Sequence, residues 1–415
     1  MAMLAHPPRA IDLRLSPVEV AARCRHLPGL VFFDTAHLAD SQTQTSIVAA
    51  RPERIVRGRS EADWTLLREA LREAAVEPSP DDGLPHGFAA GYVEYDGAFW
   101  FGFYQDALFF RHADQRWSEI GELSSALQEP AASSATGRLD FAPDTSPEAF
   151  CAMIRQAQEY IAAGDIYQVN LAHRFQSSWR GDAFRFYEKL RDHSPAPYAA
   201  YLDCGERQVL SSSPESFLQM SDRSIRTRPI KGTRPRRADP TADEKSAFDL
   251  LTSPKEVAEL VMITDLERSD LGQICEVGSV TVSELLKLER FQQVFHLVST
   301  IQGQLRPEVD HLAALRACFP GGSITGAPKK RAREIIAELE PSARGLYTGA
   351  LGWFGFNGES QFSIAIRTVV MEGGKAHFHV GAGIVADSSP SREWQETLDK
   401  AAGILLAAER LGGSR

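Results

Sequence analysis

The sequence has few cysteines, and their spacing is not that of a disulfide framework or a zinc site. The 415 residues contain five, an odd number, and they are widely scattered: Cys24, Cys151, Cys204, Cys275 and Cys318. No two of them form a Cys-x-x-Cys pair. This pattern argues against disulfide or zinc stabilisation and favours a reducing compartment, so we expect the protein in the cytoplasm.

The sequence also lacks long apolar runs, a basic leader and an excess of positive charge. No apolar run approaches the roughly 20 residues that span a bilayer, and no basic segment precedes an apolar core at the N-terminus. The 45 Lys and Arg against 55 Asp and Glu give a formal net charge of −10. We therefore expect neither nucleic acid nor membrane as a partner. An anionic small molecule is not excluded, because a basic pocket can form locally.

One segment of biased composition divides the chain. Residues 124–147 are rich in Ala, Ser, Pro and Gly, which is typical of a linker or a long surface loop. It would separate an N-terminal region, 1–123, from a larger region, 148–415, that contains the motifs described below. In the first region the patterns predict strands at 30–34 and 87–95 and a helix at 61–75.

The second region mixes predicted strands and helices without a regular rhythm. We predict strands at 167–172, 209–213, 217–220, 293–304, 349–356, 363–371 and 376–386. We predict helices at 147–163, 240–270, 311–318, 329–339 and 391–411. There is no repeated strand–helix–strand unit and no dinucleotide-binding glycine fingerprint. This arrangement predicts an α+β fold with large antiparallel sheets.

Lys231 is the most informative single residue. It lies in Pro229-Ile230-Lys231-Gly232-Thr233, where we predict a strand end that turns over a glycine into a basic loop. Apolar surroundings remove solvation and favour the neutral amine, and arginines at 228, 234 and 236 would act in the same direction. A neutral lysine amine is a nucleophile or a base.

Two predicted helices each carry a Glu-x-x-Glu step, Glu256 with Glu259 and Glu393 with Glu396. At this spacing both carboxylates of a pair lie on one helix face, and for either pair alone a solvated face is the ordinary explanation. Glu259, however, has apolar neighbours nearly all round its helix, and a buried carboxylate needs a cation or several donors. Carboxylates from two helices without His or Cys suit Mg²⁺.

Three further segments could contact a ligand. The glycine-rich loop 320–329 could face a substrate, or Ser323 or Thr325 could cap the helix that follows. The glycines of Gly381-Ala382-Gly383 mark a bulge or a place where a ligand meets backbone amides. Arg367 is a charge in an apolar strand and needs an anion, which is either an internal carboxylate or a substrate carboxylate.

Two single residues complete the candidates. His296 lies in a predicted strand, where a histidine is more often a hydrogen-bonded core residue than an acid or base. Glu215 follows a strand end at a proline, where most glutamates are solvated. It is the occurrence of all these features in one chain that is informative.

Together these segments resemble the chorismate-utilising enzymes: anthranilate synthase component I, aminodeoxychorismate synthase component I, isochorismate synthase and salicylate synthase. The matching segments are 166–171, 213–215, 229–233, 255–259, 265–272, 296–299, 319–329, 365–368, 381–387 and 393–397. They cover nearly all of residues 150–410 in the family order. The resemblance implies the anthranilate synthase component I fold, with two large sheets packed together and helices outside.

Two positions in this resemblance indicate the reaction. In anthranilate synthases the segment at 229–233 resembles Pro-Ile-Ala-Gly-Thr, with alanine at the position of Lys231. Aminodeoxychorismate synthases commonly have lysine at this position, as this chain does. Isochorismate and salicylate synthases carry a water-activating lysine where this chain has Gln168. The resemblance therefore implies formation of 4-amino-4-deoxychorismate for 4-aminobenzoate and folate biosynthesis.

The resemblance also implies roles for the candidates. Mg²⁺ would bind Glu259 and Glu396, supported by Glu256 and Glu393, and would hold the ring carboxylate. Lys231 would add to C2 of chorismate while Glu215 protonates the departing C4 hydroxyl, and ammonia would then attack C4 and expel the lysine. His296 would pack against or polarise the ring substituents. The positions that match carboxylate-binding residues are Gly232, Thr233, Tyr347, Arg367, Gly381, Ala382 and Gly383.

The resemblance implies a partner as well. The sequence has no Gly-x-Cys-x-Gly glutaminase elbow, so ammonia would come from a glutamine amidotransferase component, with free ammonia as a substitute. No lyase segment is present, so elimination of pyruvate would need another enzyme. Two alternatives stay open: an anthranilate synthase component I or dual-purpose chorismate aminase, and a non-catalytic subunit that binds chorismate and regulates a partner.

Overall fold

The computed structural model describes residues 8–36, 45–77, 83–130, 137–290 and 294–411. These residues form two large antiparallel sheets that pack face to face, with helices on their outer sides. The predicted α+β fold class is confirmed.

The strands and helices have the following bounds. The strands are β1 (Arg9–Ile11), β2 (Val31–Asp34), β3 (Thr45–Ala49), β4 (Arg54–Gly58), β5 (Phe88–Val93), β6 (Phe99–Tyr104), β7 (Ala107–Arg111), β8 (Arg116–Ile120), β9 (Ala142–Pro143), β10 (Gln168–Ser178), β11 (Tyr198–Asp203), β12 (Arg207–Ser213), β13 (Ser216–Ser221), β14 (Ser224–Arg228), β15 (Ile230–Pro235), β16 (Thr281–Arg290), β17 (Val294–Gln304), β18 (Gly326–Ala327), β19 (Ala350–Gly355), β20 (Glu359–Ile364), β21 (Thr368–Glu372) and β22 (Lys375–Ile384). The helices are α1 (Pro17–Arg23), α2 (Glu61–Ala74), α3 (Pro147–Ala162), α4 (Ala183–His193), α5 (Pro240–Leu251), α6 (Pro254–Gly272), α7 (His311–Cys318), α8 (Lys329–Leu339) and α9 (Pro390–Leu411), with short 3-10 helices at Leu123–Ala126 and Gly322–Ile324.

Both sheets draw strands from both ends of the chain. Among the described residues, the larger sheet has twelve strands, with β9 beside β10 and the others in the order β1-β8-β7-β3-β2-β11-β12-β21-β22-β10-β18. The smaller sheet has ten, in the order β15-β17-β14-β13-β20-β19-β5-β6-β4, and β16 also pairs with β17. The boundary predicted between 1–123 and 148–415 thus separates segments that lie side by side in both sheets. The division into two domains stays a prediction.

Three apolar layers hold this arrangement together. The first lies between the two sheets and contains side chains of β2, β3, β7, β11 and β12 on one side and of β5, β6 and β19 on the other. The second lies between the larger sheet and helices α1, α4 and α9, and the third lies between the smaller sheet and α2, α6 and α7. Helices α3 and α8 cover β10 and β22 in a further cluster. Burial of this apolar area is the main stabilising contribution to the fold.

The single helix predicted at 240–270 is wrong, because the structure has two. Helix α5 ends at Leu251 and α6 begins at Pro254, and the side chain of Ser253 accepts a hydrogen bond from the amide of Glu256. Proline lacks the N–H that a continuing helix needs but fits the first helical turn, and a preceding serine caps that turn. On α6 the side chains of Glu256 and Glu259 are only 19% and 11% exposed, whereas that of Asp265 is 69% exposed.

The single strand predicted at 363–371 is also wrong. Strand β20 ends at Ile364 in the smaller sheet, and β21 begins at Thr368 in the larger one. Between them the chain crosses from one sheet to the other, and Arg367 has a left-handed φ of 49°. The amide of Ser212 donates to the carbonyl oxygen of Arg367, which anchors the crossing to the larger sheet.

Part of the predicted linker 124–147 lies outside the described residues, namely 131–136, and so does Gln293 at the start of a predicted strand. Strand β17 begins at Val294 instead. In the described ranges, no helix is long and apolar enough to cross a membrane. All five cysteines are free thiols.

Candidate active site

A cavity of about 690 Å³ lies where the two sheets diverge. The smaller sheet contributes residues of β15 and β17, and the larger sheet contributes residues of β10 and β22. Helices α6 and α9 close one side. A volume of this size is sufficient for a small organic ligand.

The structure brings most of the predicted site residues together. Twelve of the fourteen line this cavity: Glu215, Lys231, Gly232, Thr233, Glu256, Glu259, His296, Tyr347, Arg367, Gly381, Gly383 and Glu396. The side chain of Ala382 is instead buried in the apolar cluster behind β22, which leaves only its backbone for a ligand. We call the four predicted metal carboxylates, Glu256, Glu259, Glu393 and Glu396, the acidic wall. Glu393 is its most buried member, with 3% of its side chain exposed.

Lys231 lies at a bulge in β15. Pairing of β15 with β17 shifts by one residue between Lys231 and Thr233, and Gly232 is the extra residue, with φ of 71°. A Cβ at Gly232 would lie 2.7 Å from Cδ1 of Leu250, so glycine is required for space as well as for conformation. The expectation that the strand ends at Lys231 is therefore wrong, since β15 continues to Pro235.

The surroundings of Lys231 are more acidic than the sequence suggested. Its Nζ donates to the carbonyl oxygen of Ser323 at 3.2 Å. Its charge acts on the carboxylates of Glu215, Glu259 and Glu396. The three neighbouring arginines are each paired with a carboxylate of their own: Arg228 with Glu289 at 2.5 Å, Arg234 with Glu256 at 3.3 Å and Arg236 with Asp243 at 2.9 Å. Their charges are thus compensated.

Glu215 is placed to hold a proton. It occupies the turn between β12 and β13, where its amide donates to Oγ of Ser213 and its carbonyl accepts from the amide of Ile364. The residue is 6% exposed. Burial raises the pKa of Glu215, although the nearby side chains of Ser323 and Lys231 act in the opposite direction. A carboxyl group in this state can serve as a general acid.

His296 is neutral in this site. Its Nδ1 lies 3.0 Å from Oγ1 of Thr233 and 3.3 Å from the carbonyl oxygen of Gly232. Burial, followed by the charge of Arg367, lowers the pKa of His296 to about 4. A neutral imidazole here can polarise or pack against a ligand, but it is not a cationic partner for a carboxylate at neutral pH.

Arg367 lines the cavity opposite the acidic wall. Among the described residues, no ion pair or side-chain hydrogen bond of Arg367 is found, so the alternative of an internal salt bridge gains no support. Burial lowers the pKa of Arg367, and the carboxylate of Glu215 opposes this effect. A partly buried guanidinium that forms no ion pair with a protein carboxylate is suited to bind an anionic ligand.

Tyr347 is held by an ionic network behind it. Its ring stacks on His379 with centroids 5.3 Å apart, and the guanidinium of Arg344 lies 5.6 Å from its centroid. Arg344 is itself buried, forms an ion pair with Glu340 at 2.6 Å and donates to the carbonyl oxygen of Asn170 at 2.7 Å. The ring is therefore fixed from both faces.

The four predicted metal carboxylates lie on α6 and α9 beside basic side chains. Arg234 contacts Glu256 at 3.3 Å, Lys255 contacts Glu393 at 3.1 Å and Glu259 at 3.9 Å, and Lys400 contacts Glu396 at 2.8 Å. Burial raises the pKa of Glu259. Burial also acts to raise that of Glu396, but Lys400, Lys255 and Lys231 together outweigh it, and the pKa of Glu396 is lowered.

Two oxygens of this acidic wall fit a bound cation. Oε1 of Glu259 and Oε2 of Glu393 are buried and accept no hydrogen bond. Buried unpaired carboxylate oxygens are costly unless a cation or donor reaches them. In the part of the chain that the structure describes, no group of three or more His, Cys, Asp or Glu side chains could hold a metal ion by itself. A cation here would keep water or ligand oxygens, as Mg²⁺ does.

Comparison with known proteins identifies the family. Residues 34–406 match a family described as chorismate binding enzyme. The chain belongs to this family. The predicted membership in the chorismate-utilising enzymes is confirmed.

Relatives whose names give different reactions match this chain. It is 41% identical to aminodeoxychorismate synthase component 1 of Bacillus subtilis over 71% of this chain and 62% of the relative. It is 36% identical to anthranilate synthase component 1 of Methanothermobacter thermautotrophicus over 92% of this chain and 90% of the relative. The anthranilate synthase component I structure from Streptococcus pneumoniae superposes with a TM-score of 0.77 at 30% identity, covering 88% of this chain and 93% of that one.

The matched segment thus spans about three fifths of the Bacillus subtilis relative. The family and the fold follow from these matches. They do not distinguish amination at C4 from anthranilate formation.

Several cavity residues were missed from the sequence. They are Asn170, Lys255, Arg392 and Lys400. The lysines gave no signal, because a lysine on an exposed helix is the ordinary case. For Asn170, the signal available was its place two residues after Gln168, on the same face of one strand.

The predicted capping role for loop 320–329 is wrong. Pro328 is the residue before α8, and no side chain caps that helix. The Thr325 hydroxyl donates to the carbonyl oxygen of Gly321, while Ser323 and Ile324 line the cavity. The loop therefore faces the ligand, which was the other alternative.

Proposed function

We propose that this chain converts chorismate and ammonia to 4-amino-4-deoxychorismate. The observation that carries the proposal is the pair of side chains behind Gly383. A Cβ at Gly383 would lie 2.8 Å from Nε2 of Gln168 and 3.8 Å from Nζ of Lys231. The two residues that mark C4 amination in the family resemblance thus both lie next to Gly383, Lys231 in the cavity wall and Gln168 fully buried. An amine beside a neutral amide suits covalent catalysis better than activation of water.

The reaction consists of two displacements. Once deprotonated, Nζ of Lys231 bonds to C2 of chorismate, the ring double bonds shift, and the C4–O bond breaks. Glu215 gives its proton to the departing hydroxyl, which leaves as water. Ammonia then bonds to C4, the C2–N bond breaks, and the lysine amine is restored while Glu215 recovers a proton. Covalent catalysis divides one difficult substitution into two easier ones.

The remaining cavity residues bind and orient. Arg367 is the cation for one substrate carboxylate, and Tyr347 and the Gly381 and Gly383 backbone contribute hydrogen bonds. His296 stays neutral and packs on the ring substituents, with its ring held by Gly232 and Thr233. Fixed donors of this kind lower the entropic cost of reaching the reactive geometry.

The acidic wall is the proposed site of Mg²⁺. Glu259 and Glu396 are the carboxylates that would hold it, with Glu256 and Glu393 in support. The unpaired oxygens of Glu259 and Glu393 support a cation at this wall and do not by themselves select Glu396. When bound, Mg²⁺ supplies the positive charge that holds the ring carboxylate.

The proposed reaction needs a source of ammonia. We propose a glutamine amidotransferase component as its source and the cytoplasm as the location of the complex. The relatives named component 1 favour a two-component enzyme. The product would pass to a separate lyase, which would release 4-aminobenzoate for folate synthesis.

The experiment is a product analysis. Purified chain is incubated with chorismate, Mg²⁺ and ammonium, and an aminodeoxychorismate lyase is then added. We expect 4-aminobenzoate that appears only with the lyase. Anthranilate formed without the lyase would instead establish the second candidate, which the match to anthranilate synthases favours. Binding of chorismate without turnover would indicate a regulatory subunit.

A further inference from the structure

We propose that Lys255 occupies the place of the divalent cation when no metal is bound, and that metal binding displaces its ammonium group. This inference rests on the magnesium site of the proposed function. It concerns a residue that this function does not otherwise use, and it makes metal affinity a property of one lysine as well as of the acidic wall.

Lys255 bridges the two helices that carry the carboxylates. It lies on α6, one turn before Glu259, and its Nζ reaches Glu393 on α9 at 3.1 Å. It is 3.9 Å from Oε1 of Glu259, too far for a hydrogen bond, and that oxygen has no hydrogen-bond partner. One ammonium therefore stands between two carboxylates and satisfies only one of them directly.

The other basic neighbours of the wall are anchored elsewhere. Lys400 donates to the carbonyl oxygen of Gly381 at 2.9 Å as well as contacting Glu396. Arg234 donates to the carbonyl oxygen of Thr233 at 2.9 Å as well as contacting Glu256. For Lys255, the only partners found among the described residues are carboxylates of the wall. It is the cation whose place depends on that charge alone.

The charge of the wall explains why a cation is needed there. Glu256 and Glu396 both act to raise the pKa of Glu259, so the carboxylates repel one another. The pKa of Lys255 is raised by Glu393, Glu259 and Glu396 against the opposing effect of its own partial burial. The ammonium thus offsets the repulsion in the metal-free chain.

The side chain can also leave. The Lys255 side chain is 39% exposed, and the residue lines the cavity. A dication brings twice the charge of the ammonium, so a dication at the acidic wall would repel the ammonium. Removing Lys255 should therefore strengthen metal binding, whereas removing a residue that merely holds the two helices together should weaken it.

The test measures metal binding directly. Mn²⁺, as a stand-in for Mg²⁺, is titrated into the unliganded chain, and free Mn²⁺ is followed by its electron paramagnetic resonance signal. We expect Lys255→Met to bind Mn²⁺ about twofold to fivefold more tightly than wild type, the size of a partly exposed charge pair. Lys255→Arg keeps a cation that can reach both carboxylates and should bind more weakly than Lys255→Met.

Lys287→Met is the matched control. Lys287 forms an ion pair with Glu284 at 2.5 Å and has similar exposure, but its partner lies outside the acidic wall. The Lys287→Met variant removes the same net charge as Lys255→Met and should leave Mn²⁺ affinity unchanged. A second readout is heat stability: without metal Lys255→Met should melt below wild type, and saturating Mg²⁺ should close that gap.

The outcomes separate the two proposals. If wild type binds Mn²⁺ and Lys255→Met binds it equally or more weakly, the proposal for Lys255 is wrong but the metal site is retained. A difference in melting temperature between the two proteins that Mg²⁺ does not reduce leads to the same conclusion. No Mn²⁺ binding by any of these proteins removes the metal site and the proposal for Lys255 with it. Neither the Mn²⁺ binding measurement nor the melting temperature depends on enzymatic activity.

Discussion

The carbonyl oxygen of Ser323 accepts a hydrogen bond from Nζ of Lys231 at 3.2 Å, and the side chain of the same serine acts on Glu215. Ser323 belongs to the short 3-10 helix Gly322–Ile324, which is buried. Leu266 and Glu267 of α6 pack against Gly322. One short buried turn thus holds the proposed nucleophile through a backbone carbonyl and lies beside the proposed acid.

Replacing Lys231 tests the covalent step. We expect Lys231→Ala to lose about four orders of magnitude in kcat or more, as removal of a catalytic nucleophile does. The unfolding free energy should change by less than about 1 kcal/mol, because the side chain lines an open cavity. Intact-mass analysis during turnover should show a chorismate-derived adduct on wild type alone. An adduct on the variant, or a large drop in melting temperature, would place Lys231 outside this role.

Glu215 should show opposite effects on rate and on stability. Glu215→Gln should lower kcat about a hundredfold to ten-thousandfold, the range for a general acid. The folded pKa of Glu215 is raised above the unfolded value, so stability is full below the unfolded pKa and is lost as pH rises through the folded one. Glutamine mimics the protonated form and should therefore stabilise the chain at neutral pH.

The pH profile of activity checks the same residue. In wild type, kcat/KM should fall as pH rises through the pKa of Glu215, because the proton donor is lost. Residual activity of Glu215→Gln should lack that limb. A limb that survives the substitution would assign it to another group.

Buried histidines should make the fold sensitive to acid. The pKa of His173 is lowered by burial to about 4 from 6.5, and the residue is 1% exposed. The unfolded chain therefore binds a proton that the folded chain refuses, so stability is lost as pH falls from 6.5 toward 4. The loss is on the order of 3 kcal/mol for one such residue.

Urea unfolding of wild type and His173→Gln at pH 7 and pH 4.5 measures this effect. The variant should lose less stability between the two pH values, whatever its stability at pH 7. His296, His377 and His379 have similarly lowered pKa values and would keep part of the acid sensitivity. Equal losses in both proteins would show that His173 does not contribute.

Arg367 should matter for substrate binding and little for folding. Arg367→Met should raise KM for chorismate at least about tenfold, the value of a charge-assisted hydrogen bond. Its melting temperature should not decrease, since in the described residues the guanidinium has no ion pair to lose. Both side chains carry a Cβ, so the left-handed φ of 49° strains them equally. A stability loss with unchanged KM would indicate an internal structural role.

Much of the site could be predicted because its residues lie in short local motifs. Glu215, Lys231 and His296 stand at strand ends or within strands whose apolar flanks are visible in sequence, and the family resemblance supplied their roles. The structure brought all three to one cavity. The motifs could not indicate the electrostatic field around Lys231, because it depends on the carboxylates of Glu215, Glu259 and Glu396, which lie in other segments of the chain.

The errors have a common physical cause. The helix predicted at 240–270 and the strand predicted at 363–371 both contain a change of direction inside an apolar run. Periodicity reports which faces are apolar and not which sheet or helix they cover. Pro254 gave a local signal for the first break. The second has none, since Arg367 adopts a left-handed φ only because two sheets are joined there.

The central strands of the larger sheet are synthesised after the strands on either side of them, which affects folding during translation. The hairpin β21–β22 pairs with β12 on one side and with β10 on the other, although β12 is made roughly 160 residues earlier and β10 roughly 200 residues earlier. Until residue 384 has been made, two half-sheets each expose an unpaired edge, which invites association with other chains. Folding must then finish late and quickly, with protection of the nascent chain. Because the same hairpin carries Gly381 and Gly383, a chain stalled before that point has no binding cavity.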